Sequence, residues 1–266
     1  YDWRKCEERM NELGQFVTEI DGLDIHFLHV RSRHVRARPI ILTHGWPGSV
    51  VELLAAIPML TDPEAHGGKA EDAFHVIVPS LPGYGFSAKP EATGWNVQRV
   101  GRAWAELMQR LGYSRWFAQG GDWGAIVTAT MGAQAPKGLA GIHLNMPMAR
   151  PTAEDRADPG PEAQAALAAG KHYMDWDSGY SKIQSTRPQT IGYGLVDSPV
   201  ALAAWIYEKM WAWTDNQGNP EDALTLDEML DNIMLYWLPG TATSSARLYW
   251  ESFAIGVASA RMEIPI

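Results

Sequence analysis

The stretch Phe117-Ala118-Gln119-Gly120-Gly121-Asp122-Trp123-Gly124-Ala125 constrains this chain more than any other. An apolar run, Trp116 to Ala118, enters a tight Gly-rich turn carrying one carboxylate, and a helical run, Ala125 to Ala135, leaves it at once. This is a strand–turn–helix unit with a charged side chain at its crest. In the nucleophile-elbow pattern G-x-S-x-G, small residues flank the nucleophile because strand and helix approach too closely for larger ones. Gly120 and Gly124 stand two before and two after Asp122, so the frame is kept and Asp replaces Ser. Two readings are open on this stretch alone: a carboxylate nucleophile, or a loop Asp that caps the next helix.

The surrounding pattern predicts an α/β fold. Phe16 to Ile20 and Asp24 to Val30 read as strands about a turn at Asp21-Gly22. Ile40-Ile41-Leu42-Thr43 is apolar without alternation, as a strand covered on both faces must be. Ser49 is expected to cap a helix over Val50 to Leu60, with Glu52 completing a capping box. Phe74 to Val78 and Leu139 to Asn145 are further strands, and Val97, Val100, Trp104, Leu107, Met108 and Leu111 mark one face of an amphipathic helix. Strands alternating with helices imply right-handed crossovers and a mostly parallel sheet with helices on both faces. Beyond Pro147 the pattern turns helical (Pro161 to Met174, Pro199 to Trp213, Leu226 to Trp237, Ser244 to Phe253), and Arg261 to Ile264 reads as a returning strand. The expected organisation is an N-terminal arm at 1–16, a core at 17–147, a helical cap at 148–259 and the start of a core strand at 260–266. Such a cap lies over the carboxyl ends of the strands, where open α/β sheets bind ligands.

Composition closes off several function classes. The 266 residues carry a formal charge of −9, and the short basic run Arg31 to Arg38 reads as a solvated hairpin loop, so no nucleic-acid partner is expected. One cysteine, Cys6, leaves neither an internal disulfide nor a thiolate metal cluster, and there is no H-E-x-x-H or calcium loop. No run approaches the roughly 18 apolar residues of a membrane span, and no secretory apolar core opens the chain. A cytoplasmic location without membrane contact is therefore expected. Twelve Trp and nine Tyr suit a pocket for apolar small molecules as well as a heavy core. Tyr1 and Ile266 are abrupt ends, which reads as a segment of a longer protein.

A carboxylate that attacks an sp³ carbon forms an ester, which water must then cleave through an oxyanion. Two N–H donors are needed. In the elbow frame one is the amide after the nucleophile, Trp123, and the other comes from the loop after the Ile40 strand, His44-Gly45-Trp46-Pro47. Pro47 has no N–H, which leaves Trp46. His44 lies in that same loop and is expected to fix it rather than act as base. His143 and His172 are expected to be satisfied structural histidines. In the serine versions of this arrangement the order is nucleophile, acid, histidine, so the base is expected beyond Ile266.

The segments His44-Gly45-Trp46-Pro47-Gly48-Ser49, Gly120-Gly121-Asp122-Trp123-Gly124 and Ser178-Gly179-Tyr180-Ser181-Lys182-Ile183-Gln184 through Arg187-Pro188 resemble the epoxide hydrolases of the α/β-hydrolase superfamily, specifically the microsomal-type branch. Asp197-Ser198-Pro199, Tyr207-Glu208-Lys209 and Ser245 to Glu251 fit the same branch, as do Tyr1 to Lys5 with Glu19 to Gly22. The resemblance covers essentially the whole chain. It implies an α/β-hydrolase fold whose C-terminal strands are missing here, with Asp122 as nucleophile and Tyr180 and Tyr249 holding and protonating the epoxide oxygen. The implied reaction opens a hydrophobic epoxide with water to a vicinal diol through an Asp ester, with no cofactor and no metal; a homodimer is possible on the same basis. The water-activating His and its acid would lie past the end, and Glu263 is too early to be that acid. A haloalkane dehalogenase would use Asp122 in the same way, although Trp46 replaces the amide side chain it would want. A catalytically incomplete scaffold acting in binding is the non-enzymatic alternative.

Overall fold

The computed structural model describes residues 1–148, 151–253 and 265; the expected returning strand, Arg261 to Ile264, and Glu263 lie outside the described residues. The chain opens with helix α1 (Trp3–Asn11), capped by the Asp2 carboxylate on the Arg4 amide. Strands β1 (Gln15–Ile20) and β2 (Leu23–Val30) form an antiparallel hairpin, with Asp21 at φ 54° and Gly22 at φ 77° making the turn. β3 (Arg38–Thr43) follows, then α2 (Ala56–Thr61), β4 (Phe74–Pro79), α3 (Val97–Arg110), β5 (Trp116–Gly120), α4 (Trp123–Gln134) and β6 (Leu139–Leu144). The six strands order as β1-β2-β4-β3-β5-β6, antiparallel through β2–β4 and parallel from there on.

The apolar run in β3 has a direct cause in this sheet. Ile41 faces one core cluster with Ile77, Trp104 and Ala118, while Ile40 and Leu42 face a second with Val76, Val78 and Ile57. Ile41 pairs with Ile77 of β4 and Ala118 of β5, so the residues of one rung feed the same layer and consecutive rungs alternate between the two. Both faces are covered, and neither leaves a position where a polar side chain would meet water. On the first face α3 seats Trp104 and Leu107, and the Trp104 indole N–H donates to Thr43 Oγ1 at 3.1 Å.

Two local expectations are corrected. Arg31 to Arg38 is no hairpin loop, because β4 lies between β2 and β3 and the segment crosses over it. Val50 to Leu60 is no single helix either: a 3₁₀ turn, Val50–Leu53, precedes α2. Ser49 does cap that turn, accepting from the Val51 amide at 3.3 Å, but Glu52 folds back over Gly48 instead of serving only as a cap.

The helical part consists of α5 (Ala153–Ala157), α6 (Pro161–His172), α7 (Gly179–Thr186), α8 (Pro188–Asp197), α9 (Pro199–Trp213), α10 (Leu226–Trp237) and α11 (Ala242–Phe253). A π-helical turn, Tyr173–Asp177, joins α6 to α7. Sequence periodicity predicts α6, α9, α10 and α11 and passes over α5, α7 and α8. α7 is rich in Gly, Ser and Thr, which are weak helix formers; it is held by tertiary contact, with Tyr180 and Gln184 buried on one face and α11 packed against it. α8 approaches α11 so closely that a Cβ on Gly192 would run into Thr243. No helix among the described residues is long and apolar enough to cross a membrane.

His26 on β2 supplies a stability test. It is buried between Ser80 Oγ, 2.9 Å from Nδ1, and Gln15 Oε1, 3.0 Å from Nε2, and burial lowers its pKa to about 4. An unfolded His titrates near 6.5, so the folded state resists a proton that the unfolded state takes up. His26 therefore contributes stability that is present above about 6.5 and lost as pH falls through about 4. Urea midpoints measured from pH 7 to pH 4.5 should fall more steeply for the native protein than for His26→Gln; equal slopes would show that His26 protonates as readily in the folded state.

Candidate active site

Asp122 ends β5 and opens α4 in a conformation that few side chains adopt, φ 50° and ψ −124°. A non-glycine residue held there stores strain, which persists only when the surroundings enforce it. They do so through the two elbow glycines. A Cβ on Gly120 would sit inside the Gly124 carbonyl, and one on Gly124 inside the carbonyl of Thr43. The turn is further tied by Gly121 N–H donating to Thr43 O at 3.4 Å and Asn145 N–H donating to Gly120 O at 3.1 Å. The helix-cap reading fails, since the Asp122 side chain makes no capping hydrogen bond to α4.

The carboxylate turns instead to the loop after β3. Trp46 N–H donates to Asp122 Oδ1 at 2.8 Å, and a Cβ on Gly45 would overlap that same oxygen. Burial raises the Asp122 pKa to about 6, a rise limited by the Trp46 and Trp123 amides, which favour the charged form. A carboxylate held through Oδ1 by the Trp46 amide, with a pKa of about 6, is mainly ionised at neutral pH. The Trp46 amide bonds this carboxyl group directly, and the Trp123 amide at the start of α4 favours its charged form.

His44 was expected to fix this loop and does so, whereas the hold that α10 adds was not legible in sequence. His44 is buried with both ring nitrogens engaged by backbone: Nδ1 lies 2.9 Å from Gly45 O, and Nε2 accepts from Leu81 N–H at 3.1 Å. Burial lowers its pKa to about 4, and no nitrogen is left to work as a base. From α10, Asn232 Nδ2 donates to Pro47 O at 2.6 Å and Tyr236 OH donates to Gly48 O at 2.6 Å. Ser49 Oγ donates to Asn232 Oδ1 at 2.7 Å. The peptide between Trp46 and Pro47 is cis. α10 reads as an ordinary amphipathic helix; the one available signal was two polar side chains, Asn232 and Tyr236, spaced four apart on its apolar face.

Glu52 lies beside Gly48, in the wall of a cavity of about 300 Å³ that also touches Asn232, Asp231, Lys209 and Trp213. Asp122, Tyr180 and Tyr249 do not line that cavity.

Tyr180 on α7 and Tyr249 on α11 both reach Trp46 in the loop after β3. Their ring centroids are 5.8 Å apart. Tyr180 stacks on Trp46 at 4.9 Å and 7°, while Tyr249 meets Trp46 edge-on at 6.0 Å and Trp123 at 4.7 Å. The Tyr180 and Tyr173 hydroxyls are 3.2 Å apart. Burial holds both phenols well above the ordinary tyrosine range, so they are neutral donors at pH 7. The five residues named from sequence, Asp122, Tyr180, Tyr249, Trp46 and Trp123, therefore meet in one place.

Other candidates do not join it. His143 is exposed on β6 and His172 is exposed on α6 with Nε2 3.7 Å from Asp177, so neither packs into the elbow site. Of the cap tryptophans, Trp213 contacts Tyr180 at 5.2 Å, while Trp176 and Trp211 face solvent. Far from the elbow, His34, Asp62 and Glu64 place donor atoms within 4.8 Å of one another. Arg33 already bridges both of those carboxylates, at 3.0 and 3.2 Å, which supplies the positive charge a metal would otherwise bring.

Residues 1–53 match the family model described as epoxide hydrolase N terminus, and residues 38–176 match that of the alpha/beta hydrolase fold. Over all 266 residues the chain is 59% identical to a Stigmatella aurantiaca protein whose name assigns it provisionally to the epoxide hydrolases, covering 60% of that relative. It is 39% identical over 287 residues to epoxide hydrolase 1 of Sus scrofa, covering 99% of this chain and 63% of that one. Among solved structures, juvenile hormone epoxide hydrolase from the silkworm Bombyx mori superposes with a TM-score of 0.86 at 36% identity, covering 95% of this chain and 64% of that one. The chain spans about 60% of the length of the curated relatives it matches.

Proposed function

The chain belongs to the α/β-hydrolase fold family and is a homologue of the epoxide hydrolases, and from that premise we propose that the full-length protein opens a hydrophobic epoxide to a vicinal diol. The observation that carries the proposal is the convergence of a strained, amide-held carboxylate with two neutral phenols. Asp122 attacks an epoxide carbon with its free oxygen. The ring C–O bond breaks toward the phenols of Tyr180 and Tyr249, which donate to the oxygen as charge develops on it. Water then cleaves the ester at its carbonyl, whose oxygen sits against the Trp46 amide and, in the elbow frame, that of Trp123. Two phenols suit a developing alkoxide better than a departing halide, which places the dehalogenase reading second.

The microsomal-type branch, the cytoplasmic location and a homodimer are proposed on the sequence alone. The branch rests on the cap segments around Tyr180 and Tyr249, and the Bombyx mori likeness is compatible with it. Residues 148–259 are proposed as the cap, on the ground that α5 to α9 interrupt the strand–helix alternation.

A single turnover in ¹⁸O-labelled water tests the chemistry. An ester route gives diol whose new oxygen comes from Asp122, so the first product is unlabelled. Labelled diol in the first turnover would mean direct attack by water. In the same assay Tyr249→Phe should slow ester formation by about 10- to 100-fold while ester hydrolysis keeps its rate. An unchanged burst would remove Tyr249 from the donor role.

A further inference from the structure

Lys209 is a buried cation that the proposed chemistry leaves without a task. Its side chain is 3% exposed on α9, between the buried Ile206 and Met210. An ammonium taken out of water is costly unless it is paired or its charge is used. The pairing here is thin. Glu208, 2.8 Å away, is its neighbour in sequence, and that carboxylate is 53% exposed and so screened by solvent. The other polar contact is the Asp177 carbonyl at 3.3 Å. Aromatic rings cover the rest: Nζ lies 4.6 Å from the centroid of the Tyr180 ring and 5.3 Å from that of Trp213. Glu52 and Asp231 face the same cavity as Lys209 from the 3₁₀ turn Val50–Leu53 and from α10, and Arg9 does so from α1.

A cation over a phenol ring is attracted by the ring face, and more strongly once the phenol oxygen gains negative charge. That charge appears only as the proton leaves. We propose that Lys209 is a positioning residue that strengthens Tyr180 as donor to the leaving epoxide oxygen, by holding a fixed positive charge over its ring. The proposal rests on the reading of Tyr180 given above. In the step concerned, the Asp122 oxygen bonds to the epoxide carbon and the C–O electron pair passes to the ring oxygen. The Tyr180 proton moves to that oxygen, and the electron pair of the O–H bond stays on the phenol. Lys209 stabilises that phenolate until a proton returns to it. The geometry also gives the ammonium a structural duty, since its contact with the Asp177 carbonyl steadies the turn that leads into α7.

Rapid mixing of the full-length protein with styrene oxide, following alkylation by Trp fluorescence, separates the two roles. Lys209→Met should slow alkylation by about 10-fold or more, leave ester hydrolysis within about twofold, and lose most of that effect when Tyr180→Phe is already present. Lys209→Arg keeps the charge and should restore alkylation to within about threefold. Equal losses from Lys209→Met with and without Tyr180→Phe, where Tyr180→Phe alone is slow, would overturn the Lys209 proposal and leave the Tyr180 reading standing. An unchanged alkylation rate in Tyr180→Phe alone would overturn the Tyr180 reading, and this proposal with it. If Lys209→Met melts early, Lys209→Gln, which retains a donor for the Asp177 carbonyl, takes its place in the same cycle.

Discussion

Asp122→Asn in the full-length protein should form no covalent adduct with a styrene-oxide-type substrate, and diol production should drop by about 10³-fold or more. Asn keeps an acceptor for the Trp46 N–H, which lies 2.8 Å from Oδ1, so the elbow has no reason to move. What disappears is the anionic oxygen. Intact-mass measurement after a brief exposure to substrate checks this, and normal adduct levels in the variant would take Asp122 out of the mechanism. The same substitution should raise stability. The Asp122 pKa, raised to about 6 by burial, lies above its unfolded value of about 3.9. The folded state therefore holds its proton more tightly than the unfolded one, and the stability this brings is present below about 3.9 and lost as pH rises through about 6. At pH 8 the native protein carries the full cost of an ionised, enclosed carboxylate, of the order of 1–3 kcal/mol. Asp122→Asn should be the more stable protein at pH 8 by that amount, with the gap closing toward pH 4. Melting curves at both pH values decide it; a variant less stable than the native protein at pH 8 would mean that the amides outweigh the burial. The pH dependence of alkylation follows from the same group. Ester formation needs Asp122 ionised, so its rate should fall as pH drops through about 6.

Gly124→Ala should cost about 3 kcal/mol or more and abolish activity even in protein that still folds. The added methyl would occupy the position of the Thr43 carbonyl, backbone that cannot step aside without pulling β3 and β5 apart. Thr43 O also accepts from the Gly121 amide, so any retreat would loosen the turn that holds Asp122 at φ 50°. Gly101→Ala provides a control: it lies between α3 and α4, and its new methyl would meet side-chain atoms of Met131 and Gln134 at 3.1 and 3.2 Å. Flexible side chains can yield, so that variant should lose far less. Chemical denaturation of the three proteins gives the comparison, and a Gly124→Ala variant within 1 kcal/mol of the native protein would contradict the close strand–helix approach.

The chain's amino-acid order by itself determined the elbow frame around Asp122, the alternation of strands and helices in the first 147 residues, and Trp46 as the amide that the loop after the Ile40 strand could offer to that elbow. These follow from local rules: glycines where backbones meet, apolar runs without alternation in strands covered twice, and a donor count from which Pro47 excludes itself. The resemblance in the cap segments named Tyr180 and Tyr249 as well, although α7, which carries Tyr180, is too poor in helix formers to announce itself.

Tertiary structure decided the rest. Pairing of β2 with β4 turned the basic run after β2 from a hairpin loop into a crossover, because strand order depends on contacts far apart in sequence. The Trp46 loop is pinned by Asn232 and Tyr236 from nearly 190 residues away, and no local pattern carries such a pairing. Lys209 reads in sequence as one more charge on a helix, and only the packing of α9 beside α7 sets its ammonium 4.6 Å from the Tyr180 ring. The elbow shows the division most clearly. Sequence left Asp122 open between helix cap and nucleophile, since both need an acidic residue at the start of a helix. The fold brings the Trp46 amide to the carboxylate while α4 takes no capping bond from it, which supports the nucleophile reading proposed above.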